Sequence, residues 1–254
     1  MEYASELSTA LNLAHQAGAL QLKSCQSVQK VSLKTDRSPV TSVDKACEEL
    51  IRHELLLTVP GDGFLGEESG TVDGPSGRCW IVDPLDGTRP FIRGIPTYST
   101  LIALEEGAIP VVGVIHLPAL NLTCWASRNG GAYLNGEPIH VSSTPVPETA
   151  MGSALGFREH PEASLREKLL RLMRSWEYAY GFMDAFSYVC VASGKLDVCV
   201  NLLDKPWDCA AAACIVTEAG GKFSDVNGAP SVRNGSFVAT NAPLHRCTVD
   251  FFTS

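Results

Sequence analysis

The stretch Trp80-Ile81-Val82-Asp83-Pro84-Leu85-Asp86-Gly87-Thr88 runs an apolar strand straight into two acids, a glycine and a threonine. A short apolar run bounded by such residues reads as a buried strand, and strand ends are where side chains converge on a common crevice. Asp83 follows Trp80-Ile81-Val82 directly and precedes a proline, which fixes it at a partly buried position. A buried acid needs a partner. No basic residue separates Asp83 from Asp86, so the pair repels itself unless hard cations fill the gap. Gly87-Thr88 marks a helix start whose free backbone N–H groups suit an anion. Metal beside phosphate is the chemistry these residues point to.

Upstream of that stretch, Leu7, Leu11, Ala14, Gly18 and Leu22 recur at three- and four-residue steps and predict an amphipathic helix. The polar residues 34–39 separate it from a second helix, which is capped by Thr41 or Ser42 and ended by Pro60-Gly61. Ala46, Leu50, Ile51 and Leu55 form its apolar face. Phe64-Leu65 and 79–82 read as short strands. Residues 98–104 and 111–117 read as strands joined at Glu105-Glu106-Gly107; 122–126 and 131–134 follow, with Asn135-Gly136 as a hairpin turn. Residues 1–145 are therefore helices plus a largely antiparallel meander, an α+β part. From 146 the pattern alternates: strand 150–155, helices 162–176 and 184–192, strand 196–202, and helix 208–219 closed by Gly220-Gly221. Strand 236–240 and a terminal helix complete it. Alternation of this kind predicts an α/β part over 146–254.

The bulk numbers are those of an ordinary globular chain: 254 residues, 45% hydrophobic and 19% charged, with a mean hydropathy of +0.06. A net charge of −8 gives no general attraction to nucleic acid or anionic membrane, so an anionic substrate needs a locally positive site. The longest apolar run, 109–120, contains His116 and two prolines and is too short to span a bilayer. The acidic N-terminus has neither a basic nor an apolar leader region. Nine scattered cysteines without a Cys-x-x-Cys pattern read as reduced buried thiols, so a cytoplasmic location is expected.

Acids sit at four element ends: Asp44, Glu67-Glu68, Asp83 with Asp86, and Asp208. Taken singly, Asp44 reads equally as a solvated helix acid, Glu67-Glu68 as a polar loop, and Asp208 as a cap or first-turn acid. The EF-hand spacing, the Walker loop, H-E-x-x-H and G-x-S-x-G are all absent, and the six histidines are dispersed. No cysteine lies in the basic setting a nucleophile needs. Oxygen-rich acids without histidine favour magnesium, or manganese in its place.

Four blocks then carry a resemblance. Trp80 to Thr88 resembles the W-x-x-D-P-[IL]-D-G-T block of the inositol monophosphatase superfamily of magnesium-dependent, lithium-sensitive phosphatases. Trp207-Asp208 with Ile215 to Gly221 is similar to its W-D-x-A-A…E-A-G-G block. Gly66-Glu67-Glu68-Ser69 resembles its G-E-E loop, and Val40 to Asp44 its T-x-x-D segment. The blocks keep the family's order over nearly the whole chain. One departure is the run Ala211-Ala212-Ala213-Cys214, where the family usually has Gly after the alanines.

The resemblance implies a layered αβαβα sandwich of the sugar-phosphatase type. It implies that Glu67, Asp83 and the Leu85 carbonyl hold one Mg2+ ion, that Asp83, Asp86 and Asp208 hold a second, and that Glu68 supports a weaker third. Gly87 and Thr88 would present N–H groups to the phosphate, and the Thr88 hydroxyl with Asp44 would polarise the attacking water. Two such metals activate water on one side and stabilise the leaving oxygen on the other. Arg89 to Pro96, Thr100 to Leu104 and Val111 to Leu120 look most like the histidinol-phosphate phosphatase branch, and Tyr180 to Tyr188 resembles its Gly-Asp-x-x-x-Tyr element.

That element makes Asp184 a substrate contact, with a helix cap as its equal alternative. Asn201 stands where the family carries a Glu that reaches the leaving group; it can hydrogen-bond hydroxyls but cannot pair with a cation, and Asp204 is the substitute from the same loop. Arg89 and Arg93 read as solvated arginines in preference to an anion frame. The expected function is thus hydrolysis of a small polar phosphate ester, histidinol phosphate first. The alternatives are an inositol-1-monophosphatase or a catalytically silent regulatory member. The family also implies a homodimer.

Overall fold

The computed structural model describes residues 2–25, 31–33, 39–157, 160–181 and 184–254. Residues 34–38 of the polar break, and Phe182 and Met183 of the Gly-Asp-x-x-x-Tyr element, lie outside them. Helix α1 (Ala4–Ser24) is followed by a small hairpin, β1 (Val31–Leu33) and β2 (Pro39–Thr41), and by α2 (Ser42–Thr58). Strands β3 (Gly63–Gly66), β4 (Gly70–Val72) and β5 (Arg78–Asp86) lead into the short helix α3 (Thr88–Arg93). The meander β6 (Ser99–Glu106), β7 (Ile109–Leu117), β8 (Leu122–Ser127), β9 (Gly131–Leu134) and β10 (Glu137–Ile139) then follows. These form an eight-stranded sheet in the order β10-β9-β8-β7-β6-β5-β3-β4, antiparallel except where β3 runs parallel to β5.

The second part supplies β11 (Met151–Leu155), α4 (Ala163–Ser175), β12 (Tyr178–Tyr180), α5 (Asp184–Ala192), β13 (Val198–Asn201) and α6 (Pro206–Glu218). Strands β14 (Lys222–Ser224) and β15 (Phe237–Thr240) and helix α7 (His245–Thr253) complete it. Its five strands lie in the order β12-β11-β13-β15-β14. Helices α1 and α2 cover the outer face of the large sheet, α5 and α6 fill the space between the sheets, and α4 and α7 cover the outer face of the small one. The chain is the expected αβαβα sandwich.

Packing refines the predicted helix faces. The buried stripe of α1 is Leu7, Ala10, Leu13, Ala14, Ala17, Gly18 and Gln21, whereas Leu22 is exposed. Gln21 is fully buried, its amide nitrogen donating to the Pro84 carbonyl of β5 (2.8 Å) and the Thr100 hydroxyl of β6 (2.7 Å). On α2 the buried face is Val43, Cys47, Ile51 and Leu55, and Ala46 is exposed. Helix α6 is buried from Cys209 to Val216, which a run of small side chains permits. A Cβ on Gly113 of β7 would lie 2.3 Å from the Ala211 carbonyl oxygen. The close approach expected of a glycine in α6 is therefore provided by a glycine on the strand. The strands β1, β2, β4, β10, β12 and β14, each of three residues, were not foreseen: too short to show a period, they exist through pairing with a neighbour.

Candidate active site

The site begins at an irregularity in β5. Along this strand Trp80 and Val82 face the α1–α2 core, and Ile81 faces the α5–α6 core. Strict alternation would send Asp83 and Asp86 to opposite faces. Pairing with β6 shifts register between Asp83 and Asp86, and Leu85 turns into the α1–α2 core instead. Asp86 is thereby aimed between the sheets, where its Oδ2 accepts the Ala185 N–H of α5 (2.9 Å) and the Ser99 hydroxyl (3.0 Å). Bulges of this kind re-aim side chains beside active sites. Asp83 accepts the Leu85 N–H (3.0 Å).

Other elements bring further acids to the same place. Glu67 leaves the end of β3 with its N–H on the Val82 carbonyl (3.2 Å). Asp208 is the third residue of α6 and accepts the Lys205 N–H (2.7 Å), so its capping role and its place at the crevice coexist. Burial first, and then Glu67, Asp86 and Asp208, push the Asp83 carboxyl well above the usual carboxylate range. Asp86 is raised by burial and by Asp184, and Asp208 by burial and by Asp204 and Glu67. Each acid is thus held next to the others against their mutual repulsion.

Asp44 is fully buried rather than solvated. Thr41 caps α2 and donates both its N–H (2.8 Å) and its hydroxyl (2.6 Å) to Asp44 Oδ2. The other oxygen, Oδ1, lies 3.1 Å from the Thr88 hydroxyl, which is also 3.2 Å from the Leu85 carbonyl oxygen. Asp44, Thr88 and the Leu85 carbonyl are therefore one contact group. Gly87 precedes α3 with a φ of 78°, a left-handed conformation that favours glycine. Facing it, Asp184 opens α5 with a φ of 50°; a Cβ on Gly87 would stand 3.1 Å from Asp184 Oδ2. Burial pushes the Asp184 carboxyl up to about 6, with Arg89 opposing the shift.

Two spaces meet here. A cleft of about 710 Å³ is lined by Glu67, Gly87, Thr88, Arg89, Arg93 and Asp184, with both arginines exposed at its mouth. Deeper in, a pocket of about 150 Å³ is lined by Asp86, Asp184, Tyr188, Asn201, Asp204 and Asp208. Asn201 is not free to wrap a hydroxyl at will: its Nδ2 donates to Asp204 Oδ1, and its Oδ1 accepts the Leu203 N–H (3.1 Å). The Tyr188 hydroxyl donates to the other oxygen of Asp204. Burial pushes the Asp204 carboxyl up to about 8 despite that bond.

One contributor has no role in the reading of the sequence: Glu48 lies four residues after Asp44, just as Tyr188, the tyrosine of the Gly-Asp-x-x-x-Tyr element, lies four after Asp184. That spacing puts each on the same helix face as its partner acid.

The acids fit hard divalent cations. Their donors are all oxygen, and burial with like charges leaves a cluster that cations relieve. Among the described residues no three acidic, histidine or cysteine side chains are already closed around one point; the set converges on the crevice without forming a finished cage. Glu67, Asp83, Asp86, Asp208 and the Leu85 carbonyl are the groups that could hold a metal there.

The profile described as "Inositol monophosphatase family" matches residues 2–250. A protein of Chlorobaculum parvum named histidinol-phosphatase is 41% identical, over 95% of this chain and 94% of its own length. A Mycobacterium tuberculosis protein of the same name is 40% identical, over 90% and 87%. The crystal structure of the extragenic suppressor protein suhB from Bartonella henselae superposes with a TM-score of 0.92 at 28% identity, covering 99% of each chain. With four sequence blocks meeting at one crevice and a family match along nearly its whole length, the chain belongs to the inositol monophosphatase family.

Proposed function

We propose that the protein is a Mg2+-dependent phosphomonoesterase and that its substrate is histidinol phosphate. The observation that carries the substrate is the inner pocket. Beyond Asp86 and Asp208, which would hold metal, it holds Asp184 and Asp204 as further carboxyls. A neutral polyol leaving group has no use for two further carboxyls, whereas the ammonium and imidazole of histidinol favour their ionised form. The carboxyl absent from position 201 stands one hydrogen bond behind it, on Asp204, which burial pushes up to about 8 and a cation beside it would draw back down. Identity to proteins named histidinol-phosphatase supports the same reading.

Bound magnesium, two or three ions, supplies Lewis-acid activation of water and neutralises the phosphate oxygens. Glu67, Asp83, Asp86, Asp208 and the Leu85 carbonyl hold it, with Glu68 behind them, and Mn2+ serves in its place. Thr88 accepts the water proton as its own hydroxyl hydrogen passes toward Asp44, 3.1 Å away. Backbone N–H groups of Gly87 and Thr88 face the phosphate. Asp184, Asn201 and Asp204 orient the leaving group.

Three organisational points belong to the same proposal. The chain divides near residue 145, with the crevice built from both parts. The protein works as a cytoplasmic enzyme, for which its nine unpaired cysteines are the support. It forms a homodimer through edge strand β12, whose Tyr178 and Tyr180 are exposed, with the exposed Met151 paired to Tyr178.

The deciding experiment compares kcat/KM for histidinol phosphate, inositol 1-phosphate, fructose 1,6-bisphosphate and adenosine 3′,5′-bisphosphate. Histidinol phosphate is expected to lead by more than about tenfold, and Asp204→Asn to lower its kcat/KM by about 10–100-fold, the worth of a charged hydrogen bond. Preference for inositol 1-phosphate by a like factor reverses the assignment.

A further inference from the structure

Glu48 is a buried carboxylate with only 2% of its surface exposed, placed in a neighbourhood already crowded with acids. For stability alone it has the wrong sign, since it adds negative charge near Glu67 and Asp44 in a chain of net charge −8. Its contacts explain its presence. Oε2 accepts the Glu68 N–H (2.8 Å) and Oε1 the Ser69 N–H (2.6 Å), both reaching across from α2 to a loop 20 residues further along. The loop is shaped to admit it: a Cβ on Gly66 would meet Glu48 Cδ and Oε2 at 2.6 Å. Glu67 is therefore pinned on both sides, by its own N–H on Val82 and by the next two N–H groups on Glu48.

The same helix face carries a second anchor. Asp44 stands one turn before Glu48 and receives the Thr88 hydroxyl, so α2 sets the distance between the Thr88 end of the crevice and the Glu67 loop. We infer that Glu48 is a positioning residue: its carboxylate fixes the backbone of residues 67–69 so that Glu67 arrives preorganised beside Asp83. The inference rests on the metal reading of Glu67 and Asp83 proposed above. Supporting groups that orient ligands typically change metal affinity by about 10–100-fold when removed.

Calorimetric titration of the full chain with Mg2+ tests it, with thermal melting in chelator alongside. The amide of Glu48→Gln can accept only one of the two N–H groups. Gly66→Ala keeps the charge but displaces the carboxylate, which gives a second route should Glu48→Gln fold poorly. Both variants are expected to weaken Mg2+ binding by about tenfold or more, while KM for histidinol phosphate at saturating Mg2+ stays within about threefold. A loop staple with no bearing on the metal lowers the melting temperature in chelator and leaves Mg2+ affinity within about twofold; that result overturns the inference. Asp83→Asn separates the two levels. Unchanged Mg2+ binding in Asp83→Asn overturns the metal reading and this inference with it. Lost binding there, with wild-type binding in Glu48→Gln and Gly66→Ala, overturns the role of Glu48 alone.

Discussion

Replacing Asp83 by Asn is expected to raise the stability of the metal-free protein and to abolish its response to magnesium. Asp83 accepts the Leu85 N–H and shares a side-chain hydrogen bond with Glu67. An asparagine keeps both, with its oxygen toward Leu85 and its amide donating to Glu67, and no proton has to be taken up. What disappears is an acid that must either carry a buried charge facing Glu67, Asp86 and Asp208 or take up a proton to avoid it. Two like charges about 5 Å apart at an effective dielectric of about 20 repel by about 3 kcal/mol. Allowing for relaxation, the variant in chelator gains about 1–3 kcal/mol, or about 3–10 °C for a chain of this size. In the wild type, magnesium at a hundred times its dissociation constant adds about 2.7 kcal/mol, roughly 5–10 °C. In the variant that increment falls below about 2 °C, and phosphate release falls by at least about a hundredfold. Scanning calorimetry with chelator and with MgCl2, beside a phosphate-release assay, reads all three. An equal magnesium shift in variant and wild type, or a metal-free variant less stable than wild type, refutes the reasoning.

Thr88→Ala removes the hydroxyl between Asp44 and the Leu85 carbonyl; kcat is expected to fall by about 10²–10⁴ with Mg2+ affinity kept, and Thr88→Ser to recover most of it. Gly113→Ala drives a methyl to 2.3 Å from the Ala211 carbonyl. A loss of about 2–4 kcal/mol, read as a melting temperature lower by about 4–10 °C, is expected, and a normal melt would mean α6 does not press on β7. Burial, then His15, holds the His116 imidazole down at about 4. Below the unfolded-state value near 6.5 the unfolded chain binds more protons, so this contribution is full above pH 6.5 and is lost as pH falls toward about 4. It amounts to something on the order of 3 kcal/mol, and His116→Asn is expected to flatten urea-unfolding free energy across that window. An unchanged slope assigns the acid sensitivity elsewhere.

Local spacing made Asp83 and Asp86 legible in advance, and the four-block resemblance added Asp44, Glu67, Thr88 and Asp208, which spacing alone left open. Each sits beside a strand end or helix start that the chain announces through glycine, proline or a capping residue. The substrate end was less legible. Asn201 reads as a lost charge in sequence, yet in the fold its amide is tied to Asp204, whose other oxygen is held by Tyr188. Those contacts join α5 to the segment after β13, and no spacing rule connects them. The helix faces show the same limit: Gln21 counts as polar by type and is buried with its amide nitrogen donating to distant carbonyl and hydroxyl oxygens.

The sequence by itself determined the α+β and α/β patterning of the two parts, the order of the acids and the glycine turn at 87, because period, capping and backbone freedom act within a few residues; the layered sandwich came from the resemblance. Tertiary structure decided whether Asp83 and Asp86 share a face at all. Period-two alternation in Trp80 to Asp86 places them on opposite sides; the shift against β6 and the burial of Leu85 turn Asp86 back to join Asp83. That turn depends on pairing with β6 and on the α1–α2 core that takes in Leu85, interactions between segments far apart in the chain.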